Sequence, residues 1–215
     1  VNPFPVVLSA PSGSGKTTVT KALLERRTDV GYSVSCTTRA PRAREVDGAD
    51  YHFLTDAEFD ARATRGEFAE WAVVHGKQYG TLKSEVQRVL DAGRHLLMDI
   101  DVKGAEQFAA SYPAAVTVFV LPPSVDALVE RLRDRHTEDA GTLLTRLKSA
   151  RSELGEVGRY HYVVVNDVLE AAVERVSSII DAEEVKRERV RALDTQVAGL
   201  IARLEQEIRG YAAKG

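Results

Sequence analysis

Along the chain, short runs of valine, leucine and isoleucine alternate with longer segments in which apolar positions recur every three or four residues. The first pattern marks strands buried on both faces, the second amphipathic helices. Their alternation predicts an α/β fold, a mostly parallel sheet covered by helices. Pro5–Ser9 reads as the first buried strand and Thr17–Arg26 as the helix after it. Gly31–Cys36, His95–Asp101, Ala115–Leu121 and Tyr162–Val165 read as further strands. Helices are expected over Thr81–Ala92, stopped by Gly93, over Val125–Arg135 with Ser124 as N-cap, and over Leu143–Leu154. One long helix is expected from about Leu169 toward the C-terminus.

Two segments break this rhythm. Thr37–Gly80 carries Pro41, Gly48, Gly66 and Gly76, with short strands predicted at Tyr51–Leu54 and Phe68–Val74. Between them Thr55-Asp56-Ala57-Glu58 has the form of a capping box opening a small helix. The stretch reads as a small α+β insertion on the main sheet. Arg135–Arg146 is polar and Arg-bearing, which suits a mobile lid. The expected organisation is a core of 1–36, 82–134 and 147–182, an insertion at 37–81, a lid at 135–146 and an amphipathic tail at 183–215. In the tail Val190, Leu193, Val197, Leu200, Ile201, Leu204 and Ile208 form one helical stripe. That stripe suits either packing on the chain's own body or a homodimer contact.

Composition narrows the function. Of 215 residues, 29 are Lys or Arg and 32 Asp or Glu, a net charge of -3. No general basic excess exists to hold a nucleic-acid backbone, so anion recognition has to be local. The longest apolar stretch, Ala114–Leu121, is far shorter than the ~18 residues of a membrane helix, and no membrane partner is expected. Cys36 is the single cysteine and cannot form an internal disulfide, in keeping with a cytoplasmic location. The five histidines show no metal-ligand spacing. Trp71 is expected in the core, and Cys36 as a buried, inert thiol.

The first predicted strand runs into Ala10-Pro11-Ser12-Gly13-Ser14-Gly15-Lys16-Thr17 and a helix. This is a Walker A loop with Ala10 where the strict pattern has glycine. Its glycines let successive N–H groups converge on one anion, and the helix N-terminus adds a positive dipole end. Nucleotide binding is assigned to Ala10 through Thr18: Ala10, Pro11, Ser12, Gly13, Ser14, Gly15, Lys16, Thr17 and Thr18. Lys16 would reach the terminal phosphates, and the Thr17 hydroxyl would hold Mg²⁺. The later strand ends in Asp99-Ile100-Asp101, at the edge that faces the nucleotide in a P-loop fold. Asp99 there can hold Mg²⁺ directly or through water.

Further strings carry a family resemblance. Ala10–Thr17, Ser33-Val34-Ser35-Cys36-Thr37-Thr38-Arg39-Ala40-Pro41-Arg42, Gly48-Ala49-Asp50-Tyr51, Glu67-Phe68-Ala69-Glu70-Trp71, Tyr79-Gly80-Thr81, Asp99-Ile100-Asp101 and Asn166-Asp167 occur in order. Together, from Val6 to about Ala182, they resemble guanylate kinase. The resemblance implies a P-loop kinase fold whose 37–81 insertion binds GMP or dGMP, with ATP as donor and Mg²⁺ as cofactor. It implies that Arg39, Arg42, Tyr51 and Tyr79 hold the acceptor phosphate. Glu70, with Ser35 and Thr81, would read guanine, while Asp99 and Asp101 also face the acceptor. Arg135 and Arg146 would be lid arginines acting with Lys16 and Arg42 in catalysis, assisted by Arg131, and Asn166 and Asp167 would contact adenine. His136, Lys103 and Thr81 stand where glycine, glutamine and serine are common in the family.

The chemistry follows from these assignments. Two arginines flanking Pro41 can aim guanidinium forks at one phosphate. Guanine presents neighbouring N–H donors at N1 and N2, which one carboxylate accepts, whereas adenine would leave that carboxylate unpaired. No general base is needed, because a phosphate monoester with a second pKa of ~6 is already largely ionised at neutral pH. Two other readings are a non-catalytic module that holds peptides in the same cleft and a P-loop kinase for another acceptor. Lys16, Thr17, Arg135 and Arg146 favour an enzyme over the first, and Glu70 with Ser35 favours guanine over the second.

Overall fold

The computed structural model describes residues 2–43, 45–74, 76–133 and 140–212. Pro3–Ser178 forms one compact unit; Asn2 and the chain from Ile179 form another. Elements follow in chain order: β1 (Pro5–Ser9), α1 (Lys16–Arg26), β2 (Val30–Tyr32), β3 (Cys36–Thr37), β4 (His52–Phe53), α2 (Asp56–Thr64), β5 (Phe68–Val74) and β6 (Lys77–Leu82). Then come α3 (Lys83–Asp91), β7 (His95–Asp99), α4 (Val102–Ser111), β8 (Val116–Leu121), α5 (Val125–Arg133), α6 (Ala140–Leu154), β9 (Tyr162–Val165), α7 (Leu169–Glu184) and α8 (Leu193–Ala212).

Five strands pair in parallel in the order β2-β7-β1-β8-β9. Burial on both faces explains why Val6, Val7 and Leu8 of β1 and Leu96, Leu97 and Met98 of β7 are all apolar and solvent-free. The register sets Leu8 beside both Asp99 and Val118, so the loop leaving β1 and the carboxylate ending β7 emerge together. Val7, Leu96, Met98, Val86, Val89, Ala105 and Phe108 pack into one core under α3 and α4. A second sheet has the order β4-β3-β6-β5, with β3 parallel to β4 and antiparallel to β6, and β5 antiparallel to β6. Its own core is Cys36, Phe59, Phe68 and Leu82.

Several expectations are met closely. β5 and β9 have the predicted bounds. The capping box is formed, with Thr55 N–H donating to Glu58 Oε2 at 2.8 Å and Glu58 N–H donating to Thr55 Oγ1 at 3.2 Å. Ser124 Oγ accepts from Ala127 N–H at 3.1 Å at the start of α5. No helix among the described residues is long and apolar enough to cross a membrane.

Other expectations are corrected. The predicted strand Gly31–Cys36 is two strands in two sheets, because Ser33 to Ser35 carry the chain from one sheet to the other. The strand predicted to Asp101 ends at Asp99, since Asp101 turns to cap α4 by accepting from Gly104 N–H at 2.7 Å. Strand β6 and helix α4 were not anticipated. Trp71 is not a core residue: it is 40% exposed, meeting Phe59 edge-on at 6.0 Å. The single long C-terminal helix is two, α7 and α8, separated by a short 3-10 turn at Arg187–Arg189 and a left-handed Ala192 at φ 54. Lys186 and Arg189 both turn back to the buried Glu183, at 2.6 and 3.2 Å, which holds the break. In α8 no residue is buried, and Val197, Leu200, Ile201, Leu204 and Ile208 are exposed.

Candidate active site

The loop after β1 curls because two of its glycines take left-handed angles, Gly13 at φ 90 and Gly15 at φ 84. Ala10 needs no such freedom; among the described non-glycine residues only Ala192 has positive φ. Ser14 N–H donates to Pro11 O at 3.1 Å, and Gly15 is the N-cap of α1. The Lys16 ammonium reaches across the loop mouth to Ile100 O at 2.6 Å and Asp99 Oδ1 at 2.8 Å. Loop residues Ala10 to Thr18 line one side of a cavity of about 310 Å³. The rest of its lining includes Ser35, Arg42, Tyr51, Glu70, Tyr79, Asp99, Asp101 and Arg146.

Glu70 is the electrostatic centre of the far side. It stands on β5 opposite Thr81, next to an irregularity in the pairing with β6, and is only 5% exposed. Burial pushes its carboxyl up to about 7; Asp101 adds to the rise, and Thr81 and Lys16 oppose it. Oε1 is buried with no hydrogen-bond partner. An orphan acceptor of this kind is costly unless a ligand donor fills it. Ser35 Oγ and Thr81 Oγ1 lie 3.4 Å apart beside it, with Thr81 fully buried behind the cavity wall.

The arginines divide. Arg42 lines the cavity with a mostly exposed side chain. Arg39 does not line it: its two terminal nitrogens donate to Glu45 at 2.9 Å each, and its guanidinium lies 5.4 Å from the Tyr51 ring centre. That pairing holds Arg39 above and Glu45 below their ordinary pKa values. Glu45 also accepts from Arg42 N–H at 2.8 Å, so one carboxylate organises both arginines. Sequence reasoning missed Glu45, although its position three residues after Arg42 was a signal. It also missed Glu153 of α6, which lines the cavity and accepts from Ser12 N–H at 3.3 Å.

Arg146 reaches the cavity from α6, whereas Arg135 and His136 lie outside the described residues. Asn166 and Asp167 do not line the cavity. Asn166 is buried and donates to Ser14 O at 2.8 Å, behind the phosphate loop, and Arg131 donates to the carbonyls of both Ser14 and Asn166 at 3.4 Å. Asp167 is exposed, accepting from Val168 N–H and sitting 3.7 Å from Arg175. Cys36 is buried, with burial pushing its thiol up to about 11, so it is an inert core group as expected.

Comparison with known proteins gives one answer. A family model described as guanylate kinase matches residues 2–183. A guanylate kinase of Clostridium perfringens is 45% identical over 186 residues, covering 86% of each chain. One from Anaeromyxobacter dehalogenans is 49% identical over 183 residues, covering 84% of this chain and 81% of its own. One from Thermotoga maritima is 44% identical over 205 residues, covering 95% and 96%. The crystal structure of guanylate kinase from Anaplasma phagocytophilum matches with a TM-score of 0.75 at 35% identity, covering 90% of this chain and 92% of that one.

Proposed function

Since the chain belongs to the guanylate kinase family, we propose that it moves the γ-phosphoryl group of ATP to GMP, and to dGMP, yielding ADP and GDP in purine nucleotide metabolism. It is an ATP-dependent nucleoside monophosphate kinase. The observation that carries the acceptor assignment is Glu70, a buried carboxylate that lines the same cavity as the phosphate loop and has one oxygen without a hydrogen-bond partner.

In this reading Lys16 and the loop N–H groups hold the phosphates of ATP. Arg42, with Tyr51 and Tyr79, holds the phosphate of GMP, and Glu45 orients Arg39 beside them. Ser35 and Thr81 complete the base site around Glu70. Residues 37–81 then form the acceptor-binding part, and 135–146, with Arg135 and Arg146, the lid. The lid excludes water and places positive charge over the group in transit. Catalysis is positioning plus neutralisation of phosphate charge, with no side chain required as a base.

Thr17 and Asp99 offer the hard oxygen donors that Mg²⁺ takes, and the 2.8 Å contact with Lys16 brings the Asp99 carboxylate beside the loop, so these residues fit the ion. Bound there, Mg²⁺ would supply charge neutralisation at the phosphate oxygens. The proposal includes a cytoplasmic location, supported by a lone cysteine, and a homodimer paired through the exposed apolar positions of α8. A coupled assay of ADP release with GMP, dGMP, AMP, CMP and UMP, with and without Mg²⁺, tests the activity. Turnover confined to the guanine nucleotides is expected, and equal turnover of AMP would overturn the acceptor assignment.

A further inference from the structure

Glu70 comes closer to α4 at Gly104 than a side chain at that position would permit. A Cβ added at Gly104 would lie 2.6 Å from Glu70 Oε2 and 3.3 Å from both Glu70 Cδ and Asp101 Oδ1. These distances fall inside the ~3.5–4 Å of ordinary non-bonded carbon contacts. Gly104 is the third residue of α4, a buried helical position with no left-handed angle to require glycine. Local propensity favours alanine there. The glycine therefore answers to space rather than to backbone conformation.

Strand and helix cannot simply part to make room. Ala69 and Ala105, the small neighbours of Glu70 and Gly104, pack in the same core cluster. Trp71 N–H donates to Gln107 Oε1 at 3.3 Å, tying the next residue of β5 to α4. Asp101 caps the helix through Gly104 N–H, which fixes the turn on which Gly104 sits. What gives way to a methyl group is the carboxylate at the end of a flexible side chain.

We propose that Gly104 is a specificity-positioning residue: the space left by its missing side chain holds the Glu70 carboxylate where it meets the N1 and N2 donors of guanine. The inference rests on the reading of Glu70 as the group that recognises the base. It predicts that a single methyl on α4, with no new charge, weakens acceptor choice while leaving the ATP side alone.

The test is a double-mutant cycle on the full chain, with kcat and KM for GMP, AMP and ATP in Gly104→Ala, Glu70→Ala and the double variant, and Glu70→Gln as a control. Gly104→Ala is expected to raise the KM for GMP roughly tenfold to hundredfold, the effect of losing one charge-assisted hydrogen bond. The GMP/AMP preference should fall with it, and the KM for ATP should stay within about twofold. In the Glu70→Ala background the same methyl should add nothing, since the group it displaces is gone. An unchanged KM for GMP in folded Gly104→Ala overturns the inference, as does a loss that persists undiminished without Glu70. If Gly104→Ala lowers Tm, relief by Glu70→Ala supports the assignment and absence of relief overturns it. An unchanged GMP/AMP ratio in Glu70→Gln instead fails the base reading itself, and the inference with it.

Discussion

In the proposed base site the two requirements on Glu70 conflict. It must be ionised to accept both guanine donors, yet burial holds its carboxyl up at about 7 rather than the ordinary 4.5. GMP affinity is therefore expected to fall as pH drops through about 7, read as a rising KM for GMP with the KM for ATP steady. Glu70→Gln places a donor against a donor and should cost roughly ten- to hundredfold in kcat/KM for GMP, with the GMP/AMP ratio falling and that part of the pH dependence gone. Stability runs the other way. The native state holds this proton longer than the unfolded chain, so the contribution is present below pH 4.5 and is lost as pH rises to about 7. The Gln variant should escape that loss, gaining on the parent by up to about 1.4 kcal/mol per pH unit across the window, as thermal melts at pH 5 and 8 would register. Lys16 makes a cleaner test of the donor side. Lys16→Ala should abolish transfer in the coupled assay while calorimetry still detects GMP, because Glu70 and Arg42 are untouched.

At the scale of elements, the phosphate loop is braced from a distant strand. Asn166, just past β9, holds Ser14 O at 2.8 Å, and Arg131 of α5 spans Ser14 and Asn166. A Cβ at Gly15 would lie 2.4 Å from Asn166 Nδ2, so loop and strand end are fitted against each other. This makes Asn166 a positioning residue in the described structure. Asn166→Ala leaves Ser14 O with only the longer contact from Arg131. It is expected to cost about 1–3 kcal/mol of stability and to raise the KM for ATP while the KM for GMP stays put. Steady-state kinetics with each substrate varied in turn would separate the two; a matching rise in the KM for GMP would instead indicate general loosening.

For the whole molecule, the two sheets divide the labour. The parallel sheet brings the β1 loop and Asp99 to one edge, and the smaller sheet carries Glu70, Thr81 and Tyr79 on β5 and β6. All proposed site residues fall within Pro3–Ser178. Truncation after Arg191 is therefore expected to leave kcat and both KM values within about twofold of the full chain. The same truncation removes the exposed Val197, Leu200, Ile201 and Leu204, the stripe through which the proposed homodimer would bury apolar surface. Sedimentation should accordingly show a dimer for the full chain and a monomer for the shortened one.

What the sequence determined by itself was everything set by interactions a few residues long. The phosphate loop is legible because left-handed glycines, the N-terminus of α1 and Lys16 all lie within one contiguous stretch. The Thr55–Glu58 capping box and the two-faced burial of β1, β7 and β8 are legible for the same reason, their partners being local or their periodicity plain; β9, read the same way, instead leaves Val163 and Val165 exposed at the edge of the sheet. The resemblance of the strings around Arg39 and Glu70 supplied roles, but not geometry. Tertiary structure alone decided that Arg39 pairs with Glu45 and that Asn166 stands behind the loop. It likewise decided that Trp71 faces solvent and that the C-terminal helix breaks where Lys186 and Arg189 fold back to Glu183. Each of these turns on which of several competing partners a long side chain or a helix end finds. The answer depends on distances between elements far apart in the chain. Gly104 is the sharpest case: in sequence it is an unfavourable helix residue, and only the approach of Glu70 from β5 gives its missing side chain a purpose.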